Sequence, residues 1–384
     1  MEINGKIYPD VKRNVLMNPG PATTTDTVKY AQVVPDICPR EKEFCDIMHQ
    51  ISLDLVKIVH GDPKKFVGVL FCGSGTMNID VTISSLVPAD KKILIINNGS
   101  YSARAVEVAK AYHVDHTELQ LPIDRPIDVM KVREALDADP SIAVVYCCMH
   151  ETGTGVLNPI REIGAAAHEH GCTMISDTTS AYAMIPIDIE KDNQDFIMAS
   201  AQKGLQSMTG LSFIVGRESI IDASKDYPVR SYYTNLYMQH SFIREHGEMR
   251  FTPPVQTIYA TRQAILEYFA EGEQAKWERH QSVWAELYKG LEELGFHMAI
   301  KKEYQSRLVI SVLCPDDPAF SFEAMHDYPY QRGFTVYSGK VAGIPMFRLC
   351  ALGAINPQDI RDFFVQLKGY MKEAGMKIPC MYKD

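Results

Sequence analysis

The sequence contains no apolar run near the about 18 residues that a membrane-spanning helix requires, so no span is expected. Its opening stretch, Met1 to Asn14, is polar, carries charges of both signs and lacks the apolar core of a secretion signal. Positive charge is in deficit, with a formal net charge of −9. That excludes broad binding to nucleic acid or to an anionic membrane, while leaving room for a local basic pocket. The nine cysteines are an odd number, and no pair has the C-x-x-C spacing of a zinc site. Most sit in apolar runs (Cys72, Cys147, Cys148, Cys172, Cys314 and Cys350), so reduced core thiols in a cytoplasmic protein are expected, with no bound metal. Internal repeats and low-complexity segments are also lacking.

What is present is ordinary globular material in quantity. At 384 residues the chain exceeds the size at which one core keeps growing, so two domains are expected. Between Phe66 and Gly216, short apolar runs alternate with amphipathic segments. The runs are Phe66–Cys72, Lys92–Asn97, Ile142–Cys148, Cys172–Ser176, Phe196–Ala199 and Leu211–Val215. They are continuous rather than alternating, which suits strands buried on both faces. Helical patterns over Ala103–Tyr112, Val129–Asp137 and Ile160–His170 lie between them. The expectation is an α/β fold, a mainly parallel sheet wrapped by helices. After Pro253-Pro254 a long helical stretch, Gln256 to Leu294, breaks near Gly272 and presents Trp277, Val283, Leu287, Leu291 and Leu294 as a core face. Strands over Arg307–Val312, Thr335–Tyr337 and Met346–Leu349 follow, then a helix after Asn356-Pro357 towards Glu373. This part reads as a smaller α+β domain. The expected division is a large domain over 15–265 and a small one over 266–384, joined by residues 1–14.

Three short runs carry chemistry. Gly73-Ser74-Gly75-Thr76 follows an apolar run and opens a helical pattern. Its glycines allow close backbone approach, and a helix N-terminus offers free N–H groups to a phosphate. It lacks the lysine of a P-loop and the third glycine of a dinucleotide fingerprint, and alone it is equally an ordinary strand-end turn. Asp177 closes the run Cys172–Ser176. Such an aspartate commonly caps a helix. It can also pair with a pyridinium N–H and keep a cofactor ring electron-withdrawing. Lys203 closes Ser200-Ala201-Gln202-Lys203. A lysine there is commonly a surface residue. Here Gly204, Ser207 and Gly210 leave space around it, and a lysine can form a Schiff base with an aldehyde cofactor. All three features fall at strand ends, where open α/β sheets place their sites. Together they point to pyridoxal 5'-phosphate (PLP). A phosphate- or nucleotide-binding module built on Gly73–Thr76 would leave Lys203 and Asp177 unexplained.

At these residues the chain resembles the class V, fold-type I PLP aminotransferases, and among them the 2-aminoethylphosphonate–pyruvate transaminases. The resemblance runs in order through Asn18-Pro19-Gly20-Pro21, the phosphate cup, Asn98-Gly99-Ser100-Tyr101 and Glu151-Thr152-Gly153-Thr154-Gly155. It continues through Asp177, Ala201-Gln202-Lys203, Arg250-Phe251-Thr252, Tyr337-Ser338-Gly339-Lys340 and Phe347-Arg348.

The resemblance implies roles. Lys203 would bind the cofactor covalently and move the substrate proton. Asp177 would hold the ring nitrogen. Ser74, Gly75, Thr76 and Gln202 would hold the phosphate. Tyr101 would stack on the ring and Thr179 would lie against its other face. Thr154 would reach the cofactor hydroxyl. Thr252 would serve the phosphate of a neighbouring subunit, making the homodimer part of the site. Arg348 would bind the acidic group of both substrates, with Gly20 and Arg40 as further substrate-side residues. The implied reaction is reversible amino transfer between 2-aminoethylphosphonate and pyruvate, giving phosphonoacetaldehyde and L-alanine. Alanine– or serine–glyoxylate transamination is the alternative, since it uses the same cofactor residues. A cysteine desulfurase would need a mobile cysteine loop, and none stands out. Asn18, Gly153 and Ala183 depart from the commoner family pattern, and the first and second belong to substrate-side loops.

Overall fold

The computed structural model describes residues 2–3, 6–341 and 343–382. Of the motif Tyr337-Ser338-Gly339-Lys340, the Lys340 side chain lies outside what is described, as do parts of segment 1–14. Seven strands form the main sheet: β1 (Phe66–Cys72), β2 (Lys92–Asn97), β3 (His116–Gln120), β4 (Ile142–Cys148), β5 (Thr173–Asp177), β6 (Phe196–Ser200) and β7 (Leu211–Arg217). Their order is β1-β7-β6-β5-β4-β2-β3. All run the same way except β7, which is antiparallel to both neighbours.

Successive strand residues point to opposite faces. In β2, Leu94 and Ile96 join one apolar cluster, while Ile93 and Ile95 join the other. Both faces are therefore covered, which is why these strands read as unbroken apolar runs. The strand β3 was not expected from the sequence. It lies at the sheet edge, its side chains are half-buried or exposed, and so no apolar run marks it.

A second core is built from helix Glu273–Glu293, helix Pro357–Ala374 and a three-stranded antiparallel sheet. That sheet comprises β8 (Val309–Leu313), β9 (Tyr337–Val341) and β10 (Ile344–Cys350), in the order β8-β10-β9. The last helix starts at a capping box, with Asn356 and Asp359 each satisfying the other's backbone, and ends at Gly375 in the left-handed conformation. Val15 and Met17 belong to this second core, and Val15–Leu16 pairs with Phe334–Thr335. The helix Val255–Glu271 runs through the expected boundary at 265/266 and puts Ile258, Ile265 and Tyr268 into the first core. The chain turns away only at Gly272, whose φ of 83° favours glycine.

One expected core face is different in the structure. Val283, Leu287, Leu291 and Leu294 are buried, but Trp277 is half-buried, and Lys276 and His280 take the inward line instead. The first turns of this helix pack on a polar turn of the main domain, where a lysine finds a carbonyl acceptor. No helix among the described residues is long and apolar enough to cross a membrane.

Strand β7 is held through Phe213, fully buried and edge-on to Tyr182 at 4.8 Å, whose hydroxyl donates to Leu55 O. Phe213→Ala is expected to lower unfolding free energy by about 3–5 kcal/mol, measured by urea denaturation.

Candidate active site

The carboxyl ends of β1, β4, β5 and β6 meet along one edge, because Asp177 pairs in register with Cys148 and Met198, and Cys72 with Leu211. Above them lies a cleft of about 210 Å³. Lys203, Asp177, Tyr101, Ser74, Gly75, Thr76, Thr179, Gln202, Gly20 and Arg348 all line it. Ten residues singled out from six separate stretches of sequence thus converge on one space.

Lys203 is buried, at 9% exposure. Burial lowers its pKa from the ordinary lysine value, and the Asp177 carboxylate opposes the shift. Gly20, at φ +115°, packs on its stem: a Cβ there would lie 2.8 Å from Lys203 Cγ. Asp177 accepts from Thr179 N at 2.8 Å and from the Tyr146 hydroxyl at 3.4 Å. These bonds fix one carboxylate geometry at the cleft floor. Tyr101 stands with its ring centroid 5.6 Å from Lys203 Nζ. It opens the helix Ser100–Ala111, whose first N–H groups donate to the buried Glu151 carboxylate, from Tyr101 N and Ser102 N at 3.2 Å each. An anion at a helix N-terminus is favourable, and here it also orients the tyrosine. Burial nevertheless raises the Glu151 pKa, with the backbone donors opposing it.

The helix Gly75–Leu86 begins at Ser74, whose hydroxyl makes no capping bond and is left for other use. A Cβ on Gly75 would lie 2.8 Å from Thr179 Cγ2, so only glycine fits at this corner. Arg104, one turn beyond Tyr101, was not singled out from the sequence. It donates to Thr76 Oγ1 at 2.7 Å, packs its guanidinium 5.1 Å from the Tyr101 ring centroid and lines the cleft. Among the described residues it has no acidic partner, so its charge faces the cup. The three-residue spacing from Tyr101 was the available signal, since it puts both on one helix face.

Two expected positions, Thr154 and Arg40, differ. Thr154 does not reach the cleft: its hydroxyl turns back to Glu151 O at 3.4 Å within its own tight turn. Thr152 lines the cleft in its place, with its Oγ1 2.6 Å from Ser180 Oγ. Arg40 is tied to Glu248 at 2.8 Å and to the carbonyls of Met249 and Arg250, away from the cleft of its own chain. Thr252 is exposed and likewise outside it. His150 is a further lining residue that the sequence did not mark. Its Nδ1 donates to Ser180 O and its Nε2 accepts from Ser306 Oγ, each at 2.9 Å. Burial pushes its pKa down to about 4, so it stays neutral.

Four buried polar atoms around the cleft lack partners among the described residues: Thr179 Oγ1, Ser200 Oγ, Gln202 Oε1 and Arg348 Nε. Orphaned groups of this kind are normally satisfied by a ligand or water. A cationic and hydroxyl-rich cup, an aromatic wall, an acid at the floor and a buried amine match the parts of PLP. The phosphate suits Ser74, Gly75, Thr76 and Arg104, the ring nitrogen suits Asp177, and the aldehyde suits Lys203.

Comparison with known proteins agrees with this arrangement. The family model for aminotransferase class-V matches residues 25–355. The 2-aminoethylphosphonate–pyruvate transaminase of Paraburkholderia phymatum is 30% identical over 365 residues, covering 95% of this chain and 98% of its own. That of Salmonella typhimurium is 33% identical over 361 residues, covering 93% and 97%. Among solved structures, the ureidoglycine–glyoxylate aminotransferase of Bacillus subtilis superposes with a TM-score of 0.87 at 19% identity, covering 96% of each chain. The alanine–glyoxylate aminotransferase of Nostoc gives 0.85 at 23%, covering 97% of this chain and all of its own. The chain belongs to the class V aminotransferases, PLP-dependent enzymes of fold-type I.

Removing the Arg104 charge should loosen the cofactor and leave the fold intact. Arg104→Leu is expected to weaken PLP binding about tenfold, since a hydrogen bond to a charged group contributes about 1.5–3 kcal/mol. Fluorescence titration of the apo protein with PLP measures this, and unchanged affinity would remove Arg104 from the cup.

Proposed function

We propose that this chain transfers the amino group of 2-aminoethylphosphonate to pyruvate, yielding phosphonoacetaldehyde and L-alanine. The observation that carries the reading is Arg348. It comes from β10 of the second core, lines the cleft with Lys203 and keeps a buried Nε without a partner among the described residues, while Nη2 donates to Ser338 O at 3.2 Å. A planar guanidinium fork is suited to both a phosphonate and a carboxylate, so one residue can receive the amine donor and then the keto acid. Full-length similarity to transaminases of that name supports the same choice.

When bound, PLP supplies an electron sink for negative charge at the carbon bearing the amine. The side chains supply the rest. Lys203, its pKa lowered by burial, has a larger neutral fraction than a surface lysine, so its Nζ can attack a carbonyl and take or return the substrate proton. Asp177 would hold a proton-bearing ring nitrogen by charge. Tyr101 and Thr179 limit sideways movement. Arg348 sets which substrate carbon faces Lys203 Nζ.

We also propose that the working unit is a homodimer, with Thr252 completing the phosphate cup of the partner and Arg40 nearby. Next to Thr252 lies an aromatic group of exposed Tyr232 and Tyr233 with half-buried Phe251, and Arg250 sits over the Tyr232 and Phe251 rings at 4.9 and 5.0 Å. Such a patch suits burial in an interface.

Single-turnover mixing of the PLP form with 2-aminoethylphosphonate, alanine, serine and phosphonoalanine, each alone, tests the substrate. The visible cofactor band is expected to decay fast with 2-aminoethylphosphonate and alanine. Decay with serine but not with 2-aminoethylphosphonate would favour serine–glyoxylate transamination. Arg348→Lys is expected to keep the band and lose about tenfold or more in kcat/KM, because a point charge does not replace the fork. Lys203→Ala is expected to abolish the band.

A further inference from the structure

Behind the cleft, the turn that carries Lys203 is held by a side chain for which the reaction has no use. Lys276 lies in the first turn of helix Glu273–Glu293, only 3% exposed, and its Nζ donates to Gly204 O at 2.7 Å. It makes no ion pair among the described residues. Gly204 is the residue after Lys203. On its other side it is pressed against backbone: a Cβ at 204 would lie 1.9 Å from Tyr182 O. The turn is closed by Gln206 N donating to Lys203 O and Ser207 N donating to Ala201 O, each at 2.9 Å. Gln206 adopts φ 60°, a left-handed conformation that costs a non-glycine residue about 1–2 kcal/mol. Gly204 is therefore fixed from one side by the Tyr182 backbone and, through its carbonyl, from the other by Lys276. The same helix supplies Val283, Trp284, Leu287 and Leu291 to the second core, which also carries Arg348 on β10.

We propose that Lys276 is a positioning residue for Lys203: it ties the carbonyl beside the reactive lysine to the helix of the second core, so that the seating of that core aims Lys203 Nζ. The inference rests on Lys203 being the reactive amine, and not on the choice of amine donor.

The local charges bear on the test. Arg279 lowers the Lys276 pKa, Glu271 and Glu267 raise it, and the Tyr268 ring centroid lies 5.2 Å from its Nζ. Burial is the largest cause and pushes the value down to about 7, from 10.5. Between those two values the unfolded chain binds more protons at this site than the folded one. The contribution to stability therefore rises with pH from about 7 to 10.5, and below about 7 the burial penalty is fully present. At neutral pH the charged form of this lysine carries that burial penalty, which opposes the gain from its hydrogen bond to Gly204 O.

Lys276→Met keeps the volume and removes both charge and donor. The expected result is an apo-protein melting temperature at pH 7 within a few degrees of wild type, since relief of the buried charge offsets the lost hydrogen bond to Gly204 O. The visible circular dichroism of the PLP form should change, and kcat should fall about 10- to 100-fold with little change in KM, as for a misplaced reacting group. Lys276→Gln, which keeps a donor, should recover part of the circular dichroism. Wild-type dichroism and kcat in the methionine variant would overturn the proposal. So would a variant that melts early or fails to fold, since that is the behaviour of a structural residue. The melting and dichroism measurements need no substrate. They stand even if 2-aminoethylphosphonate proves not to be the donor.

Discussion

The placement of a buried amine beside a buried carboxylate is the constraint on which the rest depends. Asp177 ends β5 and Lys203 lies in the turn just after the adjacent strand β6, at the same edge of the sheet, and both are buried. Burial disfavours the charged lysine, and the aspartate partly restores it. That balance is tolerable only if both backbones are rigid, and the structure supplies the rigidity from several directions. Gly20 packs on the lysine stem, Thr179 N and Tyr146 hold the aspartate, and Gly204 is wedged against Tyr182.

The site also depends on a division of labour between two cores. The main sheet supplies the groups that match PLP, from the ends of its strands and the helices that follow. The second core supplies Arg348, and through Lys276 it touches the turn of Lys203. On the proposed roles of Arg348 and Lys276, substrate recognition and alignment of the reactive amine would pass through one body. A change in how that body packs would alter both. Glu151 plays a comparable part within the main domain: a buried carboxylate at a helix N-terminus holds Tyr101 in place without entering the cleft.

Much of this was legible in the sequence. Strands β1, β2 and β4 match the apolar runs residue for residue, because strands covered on both faces must be apolar throughout. Strand β3 was not legible, since an edge strand leaves its side chains half in water. Lys203, Asp177 and the Ser74–Thr76 cup stood out because their chemistry is unusual at a strand end. Thr152 and Thr154 could not be told apart, because two threonines in one tight turn differ only in direction. Arg104 was one arginine among many until the helix put it over Tyr101. Trp277 was expected on the core face, and only the packing of the first turns put Lys276 on the inward line instead.

The sequence by itself determined the strand pattern, the chemical types at the strand ends and, through their order, the aminotransferase family. These follow from local rules: burial on both faces, glycine at tight corners, reactive groups where strands stop. Tertiary structure alone decided which of these side chains share a space and which bond a neighbour instead. It turned Thr154 away, anchored Arg40 to Glu248, brought Arg104 to Thr76 and set Lys276 on the carbonyl beside Lys203. The physical reason is range. Propensity and patterning act over one or two turns of chain, whereas a buried polar atom must find its partner wherever the fold puts one.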